Sequence, residues 1–332
     1  MIIASRPFDT DSVGSGLVIK KYLESLNKKT KLVFPTKISD QDRQRNQFIP
    51  YFEELEYQDT RELMNKEKFD VLILLDGSNI VQYYDTTQTV DDPPNLNNCP
   101  KRIHIDHHFQ HPEKLGTLEI FDSKASSTME IVLQKVIPKE FIDEKIATLG
   151  YAAIAGDTGN FRYGFRSPTF KTMAMLQKKG ADVFQVLERL HLSKTKQYLE
   201  MLAYGIKNTE YDDRLKTSFL FLPYQKLKKD KIDKNEVKDI KWSFDDIYAR
   251  YVPGYPLGIL MYEIEPGKIK ISCRGNNLTN KINLPKMFME LGGNGGGHFH
   301  AVGIDLDGKF SKIKSDLVKT IEKYRNISSL TN

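Results

Sequence analysis

Val71-Leu72-Ile73-Leu74-Leu75-Asp76 is an unbroken apolar run that ends on a carboxylate, and its reading decides the fold. A run without polar alternation belongs to a strand buried on both faces, the situation of a parallel sheet covered by helices. Working outward, the apolar character begins at Phe69, and further runs at Met1 to Ser5, Lys31 to Phe34 and Arg102 to Ile105 also read as strands. Between the first two, Ile19, Tyr22, Leu23 and Leu26 recur at helical spacing. Strand and helix therefore alternate, which predicts an α/β fold with a mainly parallel N-terminal sheet flanked by helices. Ser126 to Ile137, Phe141 to Ile154 and Pro168 to Lys179 read as helices, the last stopped by Gly180, and helical sequence resumes from Val183 to about Tyr204.

The pattern changes beyond that point. Thr217 to Leu222 reads as a strand, and Leu257 to Ile264 with Lys268 to Arg274 reads as a hairpin around Glu265-Pro266-Gly267. The expected organisation is an N-terminal domain over 1–185, a helical connector over 186–209 and a smaller α/β C-terminal domain over 210–332. A length of 332 residues with 39% hydrophobic content is enough for two cores. Lys and Arg total 49 against 44 Asp and Glu, and a net charge of +5 is too small for a protein that coats duplex nucleic acid. The lysines between Lys226 and Lys241 interleave with Asp230, Asp233, Glu236 and Asp239 and read as a solvated face. Asp91 to Pro100 reads as a surface loop. Cys99 and Cys273 lack the Cys-x-x-Cys spacing of a thiolate metal site. No stretch is apolar for the roughly 20 residues a membrane span needs, and no signal peptide opens the chain, so a soluble, cytoplasmic protein is expected.

Acidic and imidazole side chains recur where the first-half strands run out: Asp9 and Asp11 after the first, Asp76 after Leu75, and Asp106-His107-His108 after Ile105. The carboxyl ends of parallel strands meet at one rim of an open sheet, so these groups converge although far apart in sequence. Asp157 joins them from Gly156-Asp157-Thr158-Gly159, where glycines allow a tight turn. Gathered carboxylates take up protons unless a cation holds them ionised. Oxygen and imidazole donors without thiolate suit Mn²⁺ or Mg²⁺, and a pair of such ions suits phosphoester hydrolysis. Taken singly, Asp9 or Asp76 would be an ordinary helix cap or turn former, and the conjunction carries the reading. His104 alternates with Ile103 and Ile105 and reads as structural, and His111 as a loop residue.

Asp9-Thr10-Asp11 with Gly14-Ser15, Leu74-Leu75-Asp76, Ile105-Asp106-His107-His108, Gly156-Asp157-Thr158-Gly159-Asn160-Phe161 and Asn294-Gly295-Gly296-Gly297-His298 with Ala301 and Gly303 together resemble the DHH phosphoesterase superfamily with its DHH-associated C-terminal domain. Ser127-Thr128-Met129-Glu130 resembles the family's Thr-x-Glu helix start. The two-domain size is similar to the nanoRNase/pAp-phosphatase and cyclic-dinucleotide phosphodiesterase branch. The resemblance implies a catalytic first domain with two Mn²⁺ ions held by Asp9, Asp11, a bridging Asp76, His107 and Asp157. It implies that His108 stabilises charge on the scissile phosphate, that Asp106 orients a histidine, and that Arg274, Gly295, Gly296, Gly297 and His298 bind substrate. Ser5 stands where the family usually has a histidine, which removes one imidazole from the first metal.

The implied activity is hydrolysis of short 5′-phosphorylated oligonucleotides such as pApA, with the 3′-phosphate of pAp as a further substrate. Cleavage of a cyclic dinucleotide, or nucleotide binding without turnover because of Ser5, are the alternatives. Arg6, Arg162 and Arg166 lie near the metal motifs and suit phosphate, with surface ion pairing as their ordinary role. Phe161 and Phe299 suit either base stacking or packing. The expected partners are a short oligonucleotide or nucleotide and a second copy of the chain, with no duplex and no membrane.

Overall fold

In the computed structural model the N-terminal half runs β1 (Ile2–Ala4), α1 (Thr10–Ser25), β2 (Leu32–Phe34), α2 (Asp40–Asn46), β3 (Glu56–Tyr57), α3 (Thr60–Lys66), β4 (Leu72–Leu75), β5 (Arg102–Asp106), β6 (Leu118–Phe121), α4 (Thr128–Ile131), α5 (Glu144–Asp157), α6 (Ser167–Lys178) and α7 (Val183–Leu187). The structure describes residues 1–86, 93–108, 114–162, 164–192, 194–245, 252–276 and 279–330. The expectations for Asp91, Asp92 and His111 lie outside them.

The six strands pair in the order β3-β2-β1-β4-β5-β6, every pair parallel. All four residues of β4 are buried, as its unalternating sequence requires. Ile73 and Leu75 join the larger core with α1 and α5, while Leu72 and Leu74 face a smaller one with Met64, Tyr83 and Cys99. Strand order reverses between β1 and β4, and such a switch point opens a crevice at the carboxyl ends of the two strands. Asp9, Asp11 and Asp76 follow those two ends.

The chain divides into two compact units, Met1–Ser193 and Lys194–Asn332. The second begins with α8 (Lys196–Lys207), then β7 (Glu210–Asp212), β8 (Thr217–Leu222), α9 (Tyr224–Lys229), α10 (Lys234–Ser243), β9 (Leu257–Glu265), β10 (Lys268–Gly275), α11 (Leu284–Met289), β11 (Asn294–His298), β12 (Ala301–Asp307) and α12 (Phe310–Leu330). Its sheet runs β11-β12-β10-β9-β8-β7, with β8 and β9 parallel and the other pairs antiparallel. One face carries Ile269, Ile271 and Cys273 against Met287, Phe288, Leu317 and Ile321. The other carries Leu220, Leu222, Leu260 and Tyr262 against Met201, Leu202, Val237 and Ile240.

Helical sequence from Val183 to Tyr204 is not one helix. It breaks before α8, where the Thr195 hydroxyl accepts a hydrogen bond from the Tyr198 amide and starts a new helix. The apolar stripe of α8 belongs to the core of the second unit, so the 186–209 stretch is shared between the two units. The glycine run Gly295–Gly297 lies in strand β11. Among the described residues no helix is long and apolar enough to cross a membrane, and Cys99 and Cys273 are buried free thiols.

Candidate metal centre

Asp76 follows the last residue of β4 with φ +61°, a left-handed conformation that costs a non-glycine residue energy unless its surroundings enforce it. Three donors do so. The Ser5 hydroxyl donates to the Asp76 carbonyl, and the Tyr83 hydroxyl (3.0 Å) and His104 Nε2 (2.8 Å) donate to the Gly77 carbonyl. His104 is held in turn by Glu119, 2.8 Å from its Nδ1. The Asp76 carboxylate is thereby fixed at the rim, only 4% exposed, and Oδ1 accepts a hydrogen bond of 2.9 Å from the Thr128 hydroxyl.

Asp11 sits in the first turn of α1 and is 2% exposed. Its two oxygens accept the Thr128 and Met129 amides at 2.7 and 2.9 Å, so the start of α4 locks the carboxylate through both arms. Ser127 caps α4, and the buried Glu130 accepts from Ser126, Thr169 and Gln134, anchoring the same turn. Asp157 is the last residue of α5 rather than part of a turn. Gly156 before it is helical: a Cβ there would lie 2.2 Å from Thr10 Oγ1, so its role is to let α5 reach α1. Asp9 caps α1, its Oδ1 accepting the Ser12 amide at 2.8 Å.

The imidazoles close the cluster. His107 Nε2 lies 3.2 Å from Asp157 Oδ2 and 3.6 Å from Asp76 Oδ1, while its Nδ1 lies 3.3 Å from the Ala125 carbonyl. His108 Nδ1 lies 2.7 Å from Asp106 Oδ1 and 3.8 Å from Asp76 Oδ1. Among the described residues two groups of potential ligands result, Asp76-His107-His108 and Asp11-His107-Asp157, each with its ligand atoms within 4.8 Å of one another. The residue common to both is His107. Asp9 is in neither group, although its charge bears on Asp11, Asp76 and Asp157.

Electrostatics point to a cation. Burial first and then the neighbouring charge of Asp157 raise Asp11 to about 7, and burial followed by the Asp9 charge raises Asp157 to about 7. Burial, then Asp11, Asp9, Asp157 and Asp106, push Asp76 up strongly. With Nδ1–H donating to the Ala125 carbonyl, His107 Nε2 presents a lone pair to two carboxylate oxygens, a contact that only a proton or a metal ion makes favourable. The residues therefore fit a divalent ion of the manganese or magnesium class. His108 and Asp106 form an ion pair: burial lowers the imidazole, but the Asp106 hydrogen bond and charge, with Asp157 and Asp11, raise it to about 9. Burial raises Asp106, while His108, His107 and His104 outweigh it and hold the carboxyl down at about 2.

Residues 1–154 match the model of the DHH family, N-terminal domain. The N-terminal part of the chain is thus similar to the DHH family. A "Membrane protein-large ribosomal subunit bL9 fusion protein" of Aster yellows witches'-broom phytoplasma is 22% identical over 94% of the chain and 35% of its own length. A "Probable bifunctional oligoribonuclease and PAP phosphatase NrnA" of Streptococcus mutans is 36% identical over 33% of the chain and 36% of its own length. The chain thus spans about a third of the length of these curated relatives. Among solved structures, an exopolyphosphatase-related protein from Bacteroides fragilis superposes with a TM-score of 0.81 at 21% identity, covering 98% of this chain and 92% of that one. This likeness of fold covers nearly the whole chain.

The other expected site residues lie in the second unit. Arg274 is on β10, and Gly295, Gly296, Gly297 and His298 are on β11; the His298 side chain lies outside what the structure describes. Register puts Arg274 opposite Ala301 and Ala301 opposite His298, so β12 brings them together. Gly295 has φ +155°, and a Cβ there would lie 2.1 Å from the Gly303 carbonyl oxygen, so only glycine fits. Arg6 donates to the Val81 carbonyl and Thr86, and Arg162 to the Gly159 carbonyl. The Phe161 ring packs 5.4 Å from that of Phe170, while Phe299 is exposed and packs on His300. Sequence reasoning gave no role to the Thr128 hydroxyl or to the Asp11 contacts with two amides; the capping signature Ser127-Thr128-Met129-Glu130 was the available signal.

Proposed function

We propose that the chain is a metal-dependent phosphodiesterase acting on short 5′-phosphorylated oligonucleotides of the pApA type, with pAp as a further substrate. The observation that carries this reading is the convergence of His107 and His108 on Asp76 Oδ1 beside Asp11 and Asp157, at the switch point of a parallel sheet. The oligoribonuclease and PAP phosphatase named among the relatives supports the substrate class.

Asp11, Asp76, His107 and Asp157, with Asp9 beside them, would hold two Mn²⁺ or Mg²⁺ ions, which supply Lewis acidity at the phosphate and neutralise the carboxylates. The chain's own contribution begins with His108. Paired with Asp106 and raised to about 9, its imidazole keeps a proton at neutral pH and offers a positive donor to the phosphoryl oxygens as their charge develops. Asp106, 1% exposed, fixes the ring by accepting Nδ1–H. In the second unit Arg274, Gly295, Gly296, Gly297 and His298 would bind a nucleotide, the arginine through a planar fork suited to phosphate.

The test is chromatography of pApA and pAp incubated with the purified chain, with Mn²⁺ or with chelator. Manganese-dependent release of AMP that vanishes in Asp76→Ala is the expected result. Intact substrates at high Mn²⁺ would overturn the reading.

A further inference from the structure

Asp245 follows α10 in the second unit and is completely buried. Its Oδ2 accepts a hydrogen bond of 2.6 Å from the Ser272 hydroxyl, and Ser272 is itself 1% exposed. The same Ser272 oxygen lies 3.3 Å from Arg274 Nη1, which also donates to the Cys273 carbonyl at 3.1 Å. A hydroxyl has one proton. Because Asp245 takes it, the lone pairs of Ser272 must face the guanidinium, and the three groups form a chain of fixed polarity from carboxylate to hydroxyl to arginine.

We infer that Asp245 is a positioning residue: through the Ser272 hydroxyl it sets the Arg274 guanidinium to receive a phosphate group. The inference rests on Arg274 being a substrate contact. Three observations favour orientation over stability as the use of this carboxylate. A buried charge is a poor source of stability, since apolar replacements of buried ion pairs are often neutral or better. Lys241 and Arg274 lie within electrostatic reach of each other, and Asp245, ahead of Asp305, is a counter-charge that reaches the lysine as well. Small residues stand beside the network: the row through Ser272 continues to Gly303 and Gly296, and the row through Arg274 to Ala301 and then His298. Among the described residues, a Cβ added at Gly296 would meet nothing within 4 Å, which leaves room beside it for a ligand.

The test is calorimetric titration of pApA into the full chain in the presence of chelator, where binding is read without turnover. Arg274→Ala should weaken binding about tenfold or more, and Asp245→Asn and Ser272→Ala each about three- to tenfold, with the Asp245→Asn/Arg274→Ala pair no weaker than Arg274→Ala alone. Ser272→Thr, which keeps the hydroxyl, should bind like the parent. If Arg274→Ala weakens binding while Asp245→Asn and Ser272→Ala do not, the inference fails and the arginine contact stands. Additive losses in the pair would mark a general packing role and overturn it equally. Parental affinity in Arg274→Ala, or no binding by the parent, would remove the substrate contact itself and the inference with it. Should Asp245→Asn fail to fold, Ser272→Ala decides by the same criteria.

Discussion

Ser5 is buried just after β1, and its hydroxyl closes on the Asp76 carbonyl one strand away, where the backbone is left-handed. A small hydroxyl residue thus does structural work at a position from which the family resemblance expects a metal ligand. Removing it should release the turn rather than the metal: Ser5→Ala is expected to cost about 1–3 kcal/mol, read by denaturant unfolding. A loss below about 0.5 kcal/mol would mean that His104 and Tyr83 suffice to hold the turn. Thr128→Val tests the opposite effect at a residue of the same size. It deletes the hydroxyl on Asp76 Oδ1 and leaves the α4 amides on Asp11 in place, so Mn²⁺ affinity should fall about tenfold with the fold intact. Unchanged affinity by titration calorimetry would exclude Thr128 from the support of the site. The candidate acids and imidazoles were legible in the sequence because each follows an apolar run. Their supports were not, since one hydroxyl or two amides meeting a carboxylate 52 or 117 residues away leave no local pattern.

Elements were legible in proportion to how strongly their side chains alternate or repeat. β4 announced itself through Val71 to Leu75, and α5 and α6 through their helical spacing. β11 did not, because Gly295–Gly297 has no side chains to show a period, and its strand character comes from pairing with β12. The partner of α8 was equally hidden: an amphipathic stripe shows that a helix is buried but not against what. The junction of α1 with α5 yields a prediction at this scale. The site needs Asp11 from one helix and Asp157 from the other, and Gly156 sets how closely they approach. Gly156→Ala should force them apart, costing about 1–3 kcal/mol and weakening Mn²⁺ binding together, as measured by thermal unfolding and titration. Helix propensity alone would make alanine stabilising by about 1 kcal/mol, so the sign of the change separates the two effects.

For the whole molecule, the crowding of acids makes stability depend on pH in a direction that a metal should change. Asp11 and Asp157, near 7 in the folded chain against 3.8 as the ordinary value, bind more protons folded than unfolded between about pH 4 and 7. Without metal, stability therefore falls as pH rises through that window. His108, near 9 against 6.5, contributes stability that is full below about pH 6.5 and lost as pH rises through 9, the same direction in a higher window. Asp106, near 2, contributes above about pH 3.8 and loses its contribution only on further acidification, so it does not oppose the trend near neutrality. The metal-free chain should melt at a lower temperature at about pH 8 than at about pH 5.5. Mn²⁺ binds the ionised carboxylates and displaces their protons, so its stabilisation should grow with pH and flatten or invert that slope. Calorimetric melting at both pH values, in chelator and in excess Mn²⁺, measures the difference. Equal slopes with and without the ion would mean that the acids titrate independently of metal, and would remove the electrostatic argument for placing one among Asp11, Asp76, His107 and Asp157.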